Sequence, residues 1–530
     1  MRLSNSCIAL AAALLPLTLN ATGTPPTDHS YASISELQQA MDAGTLSSRA
    51  LVKEELTRIW RIDQGGPTVN SVIEVNPDAL SLAGKADAGR GKASTHGLLY
   101  GIPVLLKDNV GTGDRMLTTA GSMALADAPA PKDAPLVARL RKAGAIILGK
   151  TNLSEWANYR STHSTSGWSG RGGQTRNPYV LDRNPCGSSA GSGAAVAAGL
   201  APVAIGTETD GSIICPSASN GLVGIKPTLG LVSRTGIVPL SHSQDTAGPM
   251  ARSVADAAAL LSVIAGSDPA DPTTADADKH ATDYTRFLDP NGLRGKRIGV
   301  VRALVGQEPH ADQALEKAIA IMREQGAVIV DPVTLPHLAD LGDPEGTVLS
   351  YDFKHDINAY LATRTGLKVK NLADLIAFNK THASVEMPWF GQELFEQSQA
   401  RGPLTAPAYL EALAKAKRLA GPEGIDAALA KDHLDALLAP SSGPAFVTDP
   451  VLGDHIVGGG ATEPAAVAGY PSITVPADFA HGLPVGIVML GAKWSEPTLI
   501  AIAYGFEQHS KVWRAPQFLD TIGGTPQVAH

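Results

Sequence analysis

Two stretches of the chain combine serine with glycine. They are Cys186-Gly187-Ser188-Ser189-Ala190-Gly191-Ser192-Gly193 and Gly206-Thr207-Glu208-Thr209-Asp210-Gly211-Ser212-Ile213. They place hydroxyl groups beside backbone N–H groups that no bulky side chain screens. Such a combination supplies a nucleophile and a seat for a developing oxyanion. A third candidate is Lys107, which ends an apolar run. Burial disfavours an ammonium and lowers its pKa from the ordinary ~10.4, so a buried lysine can serve as a neutral general base. Each residue also has an ordinary reading. Lys107 can snorkel to solvent or pair with Asp108. Ser212 can close a turn on its own backbone, and Ser188 or Ser189 can cap a helix. Neither stretch contains a histidine, and it is the conjunction of two serines with a lysine that points to chemistry.

These residues need elements to hold them. Residues 194–200 are Ala-rich and predict a helix leading away from the first stretch. Residues 201–205 predict a buried strand that feeds the second. The apolar run within 101–110 predicts a strand ending on Lys107. A helix over 135–143 followed by a strand over 145–148 is a passage typical of α/β folds. Further helices are expected at 48–62, 77–88, 253–265, 311–325 and 496–509. Ser33 and Glu36 form a capping-box pair for one more, closed by Gly44. Strands are expected at 297–301, 327–330, 436–439, 472–475 and 485–490. Residues 151–185 are polar and Gly/Ser-rich, and read as a long loop over a site rather than core. Residues 340–432 are helix-rich without a motif. These runs predict an α/β fold class.

Composition sets the outer limits. The 530 residues are 44% hydrophobic and only 18% charged, with 54 Gly and 37 Pro. This suits a loop-rich α/β enzyme and not a coiled coil or a disordered chain. A net charge of −8 without a basic run argues against nucleic acid or an anionic membrane as partner. Arg2, the apolar run from Cys7 to Leu19 and the small residues Ala21-Thr22-Gly23 have the layout of a secretory signal over residues 1–23. A periplasmic or secreted location follows as an expectation. The apolar run is too short for a membrane span. Of three cysteines, Cys186 and Cys215 flank the serine motifs. They can pair in an oxidising compartment, but the simpler expectation is two small packing residues. No His-Glu-x-x-His or Cys-x-x-Cys pattern supports a metal.

Two rival motifs are weaker. Gly187-Ser188-Ser189-Ala190-Gly191 fits the nucleophile elbow with Ser189 as nucleophile, yet loop rather than strand precedes it. Gly191-Ser192-Gly193 begins a glycine pattern that no Gly-Lys-Ser/Thr completes.

The chain resembles the amidase signature family. The likeness runs from Gly101-Ile102-Pro103-Val104 and Lys107-Asp108-Asn109 through Gly149-Lys150-Thr151-Asn152 and both serine stretches. It continues in Gly221-Leu222-Val223-Gly224-Ile225-Lys226-Pro227 and Gly248-Pro249-Met250-Ala251, and resumes at Gly469-Tyr470-Pro471-Ser472. The resemblance implies a large mixed twisted sheet covered by helices on both sides, in one domain over 24–530 with a substrate-binding insertion near 340–432. It implies a Ser–Ser–Lys triad: Ser212 as nucleophile, Ser188 after a cis peptide as proton relay, and Lys107 as base. Backbone N–H groups of Thr209, Asp210, Gly211 and Ser212 would hold the oxyanion. No cofactor is implied. This chain departs from the family pattern, where glycine usually stands at Cys186 and Asp210, aspartate at Glu208 and arginine at Ile214. The variant Glu208-Thr209-Asp210-Gly211-Ser212-Ile213 is similar to that of bacterial peptide amidases, and Asp210 would repel a free carboxylate. The expectation is an exported hydrolase of C-terminal peptide amides. Alternatives are fatty, aryl or small aliphatic amides, or a silent binding relative.

Overall fold

The structure, a computed structural model, describes residues 28–90, 96–458 and 460–527. The expected signal over 1–23 lies outside the described residues.

Among the described residues, thirteen strands are β1 (Val72–Val75), β2 (Pro103–Lys107), β3 (Ile146–Thr151), β4 (Trp168–Ser169), β5 (Gly173–Gln174), β6 (Val203–Glu208) and β7 (Val223–Lys226), then β8 (Thr246–Ala251), β9 (Arg297–Val300), β10 (Val328–Val330), β11 (Ala436–Pro440), β12 (Ser472–Ala480) and β13 (Leu483–Leu490). β4 and β5 form a separate ribbon. The other eleven build one mixed sheet in the order β1-β3-β2-β6-β8-β7-β12-β13-β11-β9-β10. Lys107 is the last residue of β2, which runs parallel to both β3 and β6.

Both faces of the central strands are covered, so their sequences are continuously apolar rather than alternating. Val104, Leu106, Val203 and Ile205 pack on one face with helices Pro135–Lys142 and Val254–Ile264. Leu105 and Ala204 pack on the other with Ala194 to Ala198 at the end of helix Ala190–Ala197. Side chains two apart on a strand share a face. Lys107 therefore lies on the Leu105 side, beneath the helix that follows Ser188 and Ser189.

The expected helices form within a few residues of their predicted ends, and the Ser33–Glu36 capping box is present. The region 340–432 is helical, with helices Gly342–Ala362, Leu372–Thr381 and Pro407–Ala420. Strand β6 runs three residues further than expected, so Gly206, Thr207 and Glu208 belong to the sheet. Strands β1, β7 and β8 carried no clear signal. In β8, Gly248 and Pro249 are poor strand formers. A Cβ at Gly248 would come within 2.1 Å of the Ile225 carbonyl, so close strand contact requires glycine there.

The segment 151–185 is not the surface loop its polarity suggests. Asn152, Ser154, Arg160, Thr165, Asn177 and Asn184 are buried. Their side chains satisfy backbone that lacks a sheet partner. Asn152 Nδ2 donates to the carbonyls of Gly167 and Gly173 and to Thr175 Oγ1.

Candidate active site

The site is built where β2 and β6 end. Lys107 is fully buried. Its Nζ lies 2.7 Å from Ser188 Oγ, 2.9 Å from Thr207 Oγ1 and 3.1 Å from the Thr207 carbonyl. Neither ordinary reading of Lys107 holds. It does not reach solvent, and Asp108 turns away to Thr119 and Arg171. Burial lowers the Lys107 pKa to about 7, against the opposing pull of the Asp245 and Glu208 carboxylates. A neutral amine has two N–H donors and one lone pair. With the Thr207 carbonyl and hydroxyl as acceptors, the lone pair is left for the Ser188 hydroxyl. Asn109 Nδ2 also donates to Thr207 Oγ1 at 2.9 Å and fixes that threonine.

Ser188 follows a cis peptide from Gly187. Its carbonyl accepts the Ser154 N–H at 3.0 Å. A Cβ on Gly187 would meet Ser154 Oγ at 2.1 Å, so only glycine fits there. Ser189 stands at the N-cap of helix Ala190–Ala197, but its side chain makes no capping hydrogen bond. Its Oγ donates to the Thr207 carbonyl at 3.1 Å and accepts the Thr207 N–H at 3.2 Å. Loop rather than strand precedes it. Gly191 and Gly193 serve packing. A Cβ at Gly191 would stand 2.3 Å from the Ser71 carbonyl, and one at Gly193 2.9 Å from that of Pro216.

Ser212 is buried at 8% exposure and lines a cavity of about 280 Å³ with Gly187, Asp210 and Gly211. The Ser189 N–H donates to the Ser212 carbonyl at 3.2 Å, which ties the two serine stretches together. Among the described residues, no hydrogen bond joins the Ser188 and Ser212 hydroxyls, and the backbone N–H groups of Thr209, Asp210, Gly211 and Ser212 have no acceptor. Four consecutive free donors form a cradle for an anion. The loop is held by Glu208, whose Oε2 accepts the N–H groups of Ile213 and Ile214 at 2.7 and 3.0 Å. The glutamate thus braces the loop directly, with isoleucine where the family's arginine usually stands. From behind, Asp245 accepts the Thr209 hydroxyl at 2.6 Å. Gln244 Nε2 joins the Thr209 carbonyl to Glu345 of the helical region.

Asp210 is half-buried, not a solvated turn residue. Burial and the Glu208 and Glu463 carboxylates push its carboxyl up to about 7, against a hydrogen bond from Thr462. A second carboxylate in the cavity, Asp454, accepts the N–H and hydroxyl of Ser166. Another part of the cavity wall comes from Ser441 and Ser442, just after β11, and from Asp454, Ile456 and Thr462, a segment that carries no recognisable motif. The helices of 340–432 pack behind the loop.

Cys186 and Cys215 are joined in a disulfide, which corrects the expectation of two packing thiols. Among the described residues, one group has metal-ligand geometry: His242, His355 and Asp356 bring donor atoms within 4.8 Å of one another. Asp356 accepts from both imidazoles there.

A buried lysine against one serine, with a second serine and free backbone N–H groups close by, is an arrangement that can support acyl transfer. A family model described as Amidase matches residues 50–500, and the chain belongs to the amidase signature family. A protein described as a probable amidase from Arabidopsis thaliana is 40% identical over 500 residues, 92% of each chain. The structure is similar to that of native peptide amidase from Stenotrophomonas maltophilia, with a TM-score of 0.88 and 52% identity over 92% of this chain and 99% of that one. It is also similar to that of an amidase family protein from Bacillus anthracis, with a TM-score of 0.83 and 39% identity over 92% of each chain.

Proposed function

We propose that this amidase removes the C-terminal amide of peptides through an acyl-enzyme, with Ser212, Ser188 and Lys107 as the triad. The observation that carries the mechanism is the buried Lys107 amine at 2.7 Å from Ser188 Oγ. As a carbonyl enters the cradle, Ser212 Oγ bonds to its carbon and passes its proton to Ser188, which passes its own to Lys107. The hydroxyl of Ser212 must turn toward Ser188 for this, and catalytic hydrogen bonds often tighten only once substrate is bound. The oxyanion faces the N–H groups of Thr209, Asp210, Gly211 and Ser212. Collapse breaks the C–N bond, and the proton returns through Ser188 to the leaving nitrogen. Water then repeats the sequence and releases the acid.

The cavity's charge supports a neutral terminal amide as the favoured substrate. Among the described residues, its lining holds the acidic groups Asp210 and Asp454, which burial pushes toward their neutral forms, and no Lys, Arg or His to receive an anion. A carboxylate product is therefore held poorly. The likeness to peptide amidase supports the same class. Fatty or aryl amides gain less, since Ile456 is the one large apolar side chain in that lining. The N-terminal apolar segment and the disulfide support export to an oxidising compartment. Mass spectrometry of a peptide amide incubated with the enzyme is expected to show conversion of amide to acid with one ammonia released. Intact peptide amide beside rapid turnover of a fatty or anilide substrate would overturn the substrate class.

A further inference from the structure

The Cys186–Cys215 bridge sits in the wall of the Ser212 cavity. Cys186 stands two residues before Ser188 and Cys215 three after Ser212. The bridge therefore ties the flank of one serine to the flank of the other. The other ties between the two stretches run through Ser189, whose N–H donates to the Ser212 carbonyl and whose hydroxyl bonds the Thr207 backbone. Cys186 has a φ of 59°, in the left-handed region that L-residues other than glycine, asparagine and aspartate rarely adopt. Its N–H is held by Asn184 Oδ1 at 2.8 Å, and its sulfur by the bridge. The cysteine side chain thus supplies a constraint that glycine at this position would lack. Cys215 is half-buried and lines the cavity, which offers a small dithiol a route to the bridge along the substrate's path.

We propose that Cys186–Cys215 is a redox modification site that positions Ser188 against Ser212, so that the oxidised enzyme is fast and the reduced enzyme slow. This rests on the two-serine reading of the site. A thiolate of a dithiol reductant attacks the Cys215 sulfur, the S–S bond breaks, and Cys186 leaves as a thiolate that takes a proton from water. The second thiolate of the reductant closes its own disulfide and expels the Cys215 thiolate. The dithiol is oxidised by two electrons and the bridge is reduced. Cys186 is then free to leave its left-handed conformation, and the strand of chain carrying Ser188 relaxes.

The test treats the full native chain with dithiothreitol, counts thiols, and follows kcat, KM, far-UV circular dichroism and labelling by a fluorophosphonate. Release of two thiols is expected to lower kcat by about tenfold or more, since small misplacements of reacting groups are costly. KM should stay within about twofold, labelling should slow in parallel, the dichroism should not change, and oxidised glutathione should restore the rate. Unchanged kcat with two thiols released overturns the proposal, and so does a fully active protein purified with both thiols free. A bridge serving stability alone would lower the melting temperature and spare kcat. If the reductant releases no thiol, the double variant Cys186→Ala/Cys215→Ala decides. A folded variant with wild-type kcat refutes the positioning role, and a folded, slow one supports it. A protein inert on peptide amides but labelled in a redox-dependent way would refute the substrate class alone.

Discussion

Lys107 and Ser188, 81 residues apart in the chain, meet at 2.7 Å in a fully buried contact. Three local facts produce it. Lys107 ends a strand whose neighbours are buried on both faces, so its side chain cannot escape to water. It shares a face with Leu105, on which helix Ala190–Ala197 packs. Glycines at 187 and 191 let the chain between them pass against Ser154, Ser71 and Asn152. Burial brings the lysine's pKa down to about 7, so that above this pH it has a lone pair to offer the Ser188 hydroxyl.

Ser212→Ala should abolish turnover, by on the order of 10³-fold or more, while the melting temperature stays near the wild-type value. Ammonia release from a peptide amide, measured beside calorimetry, checks both parts. Ser188→Ala should show a large loss in kcat with KM less affected, because it removes the relay and not the cavity wall.

The acidic limb of the rate should follow Lys107, whose folded pKa is about 7. Below that value the amine is protonated and cannot accept, so kcat/KM should fall about tenfold per pH unit, and above it the rate should level off. The same lysine has a higher pKa, near ~10.4, when unfolded. Between the two values the unfolded chain holds the extra proton, so this group's contribution to stability rises with pH across that window. Fluorophosphonate labelling against pH reads the enzyme's limb without a titrating substrate. A labelling rate flat from pH 5 to pH 9, a span of about four units, would remove Lys107 from the role of base.

Asp245 raises the pKa of Lys107 and accepts the Thr209 hydroxyl. Asp245→Asn should therefore move the acidic limb to lower pH and reduce kcat through a loosened cradle. An unmoved limb would show that the two groups do not sense each other.

Ser189→Ala should keep fluorophosphonate labelling at Ser212. It removes one hydroxyl bound to both the N–H and the carbonyl of Thr207, and the cost should be about 1–3 kcal/mol of stability. Complete loss of labelling in a folded protein would return Ser189 to the role of nucleophile.

Gly191→Ala should be damaging even though it adds a single methyl group. The added Cβ meets the Ser71 carbonyl at 2.3 Å and the Asn152 carbonyl at 2.5 Å, both backbone atoms. Overpacking of this kind costs about 1–3 kcal/mol or more, and the melting temperature should drop accordingly.

The α/β class and the helices were legible in the order of residues, through local periodicity and end signals. Lys107, Ser188 and Ser212 were legible as candidates, through their motifs and the resemblance to the amidase signature family, and the structure brings Lys107 to Ser188. Asn109 and Thr207 stand within those motifs without a task assigned to them, because their task depends on a neighbour that strand pairing supplies. Other features exist only once distant segments meet. Polar residues within 151–185 such as Asn152, Asn177 and Asn184 are buried because their side chains satisfy backbone that has no sheet partner, and polarity alone cannot distinguish that from exposure. Strand β8 forms across Gly248 and Pro249 because β6 and β7 stand ready on either side. Cys186 and Cys215 pair because the two serine loops are brought side by side, a proximity between distant segments that no single stretch of chain encodes.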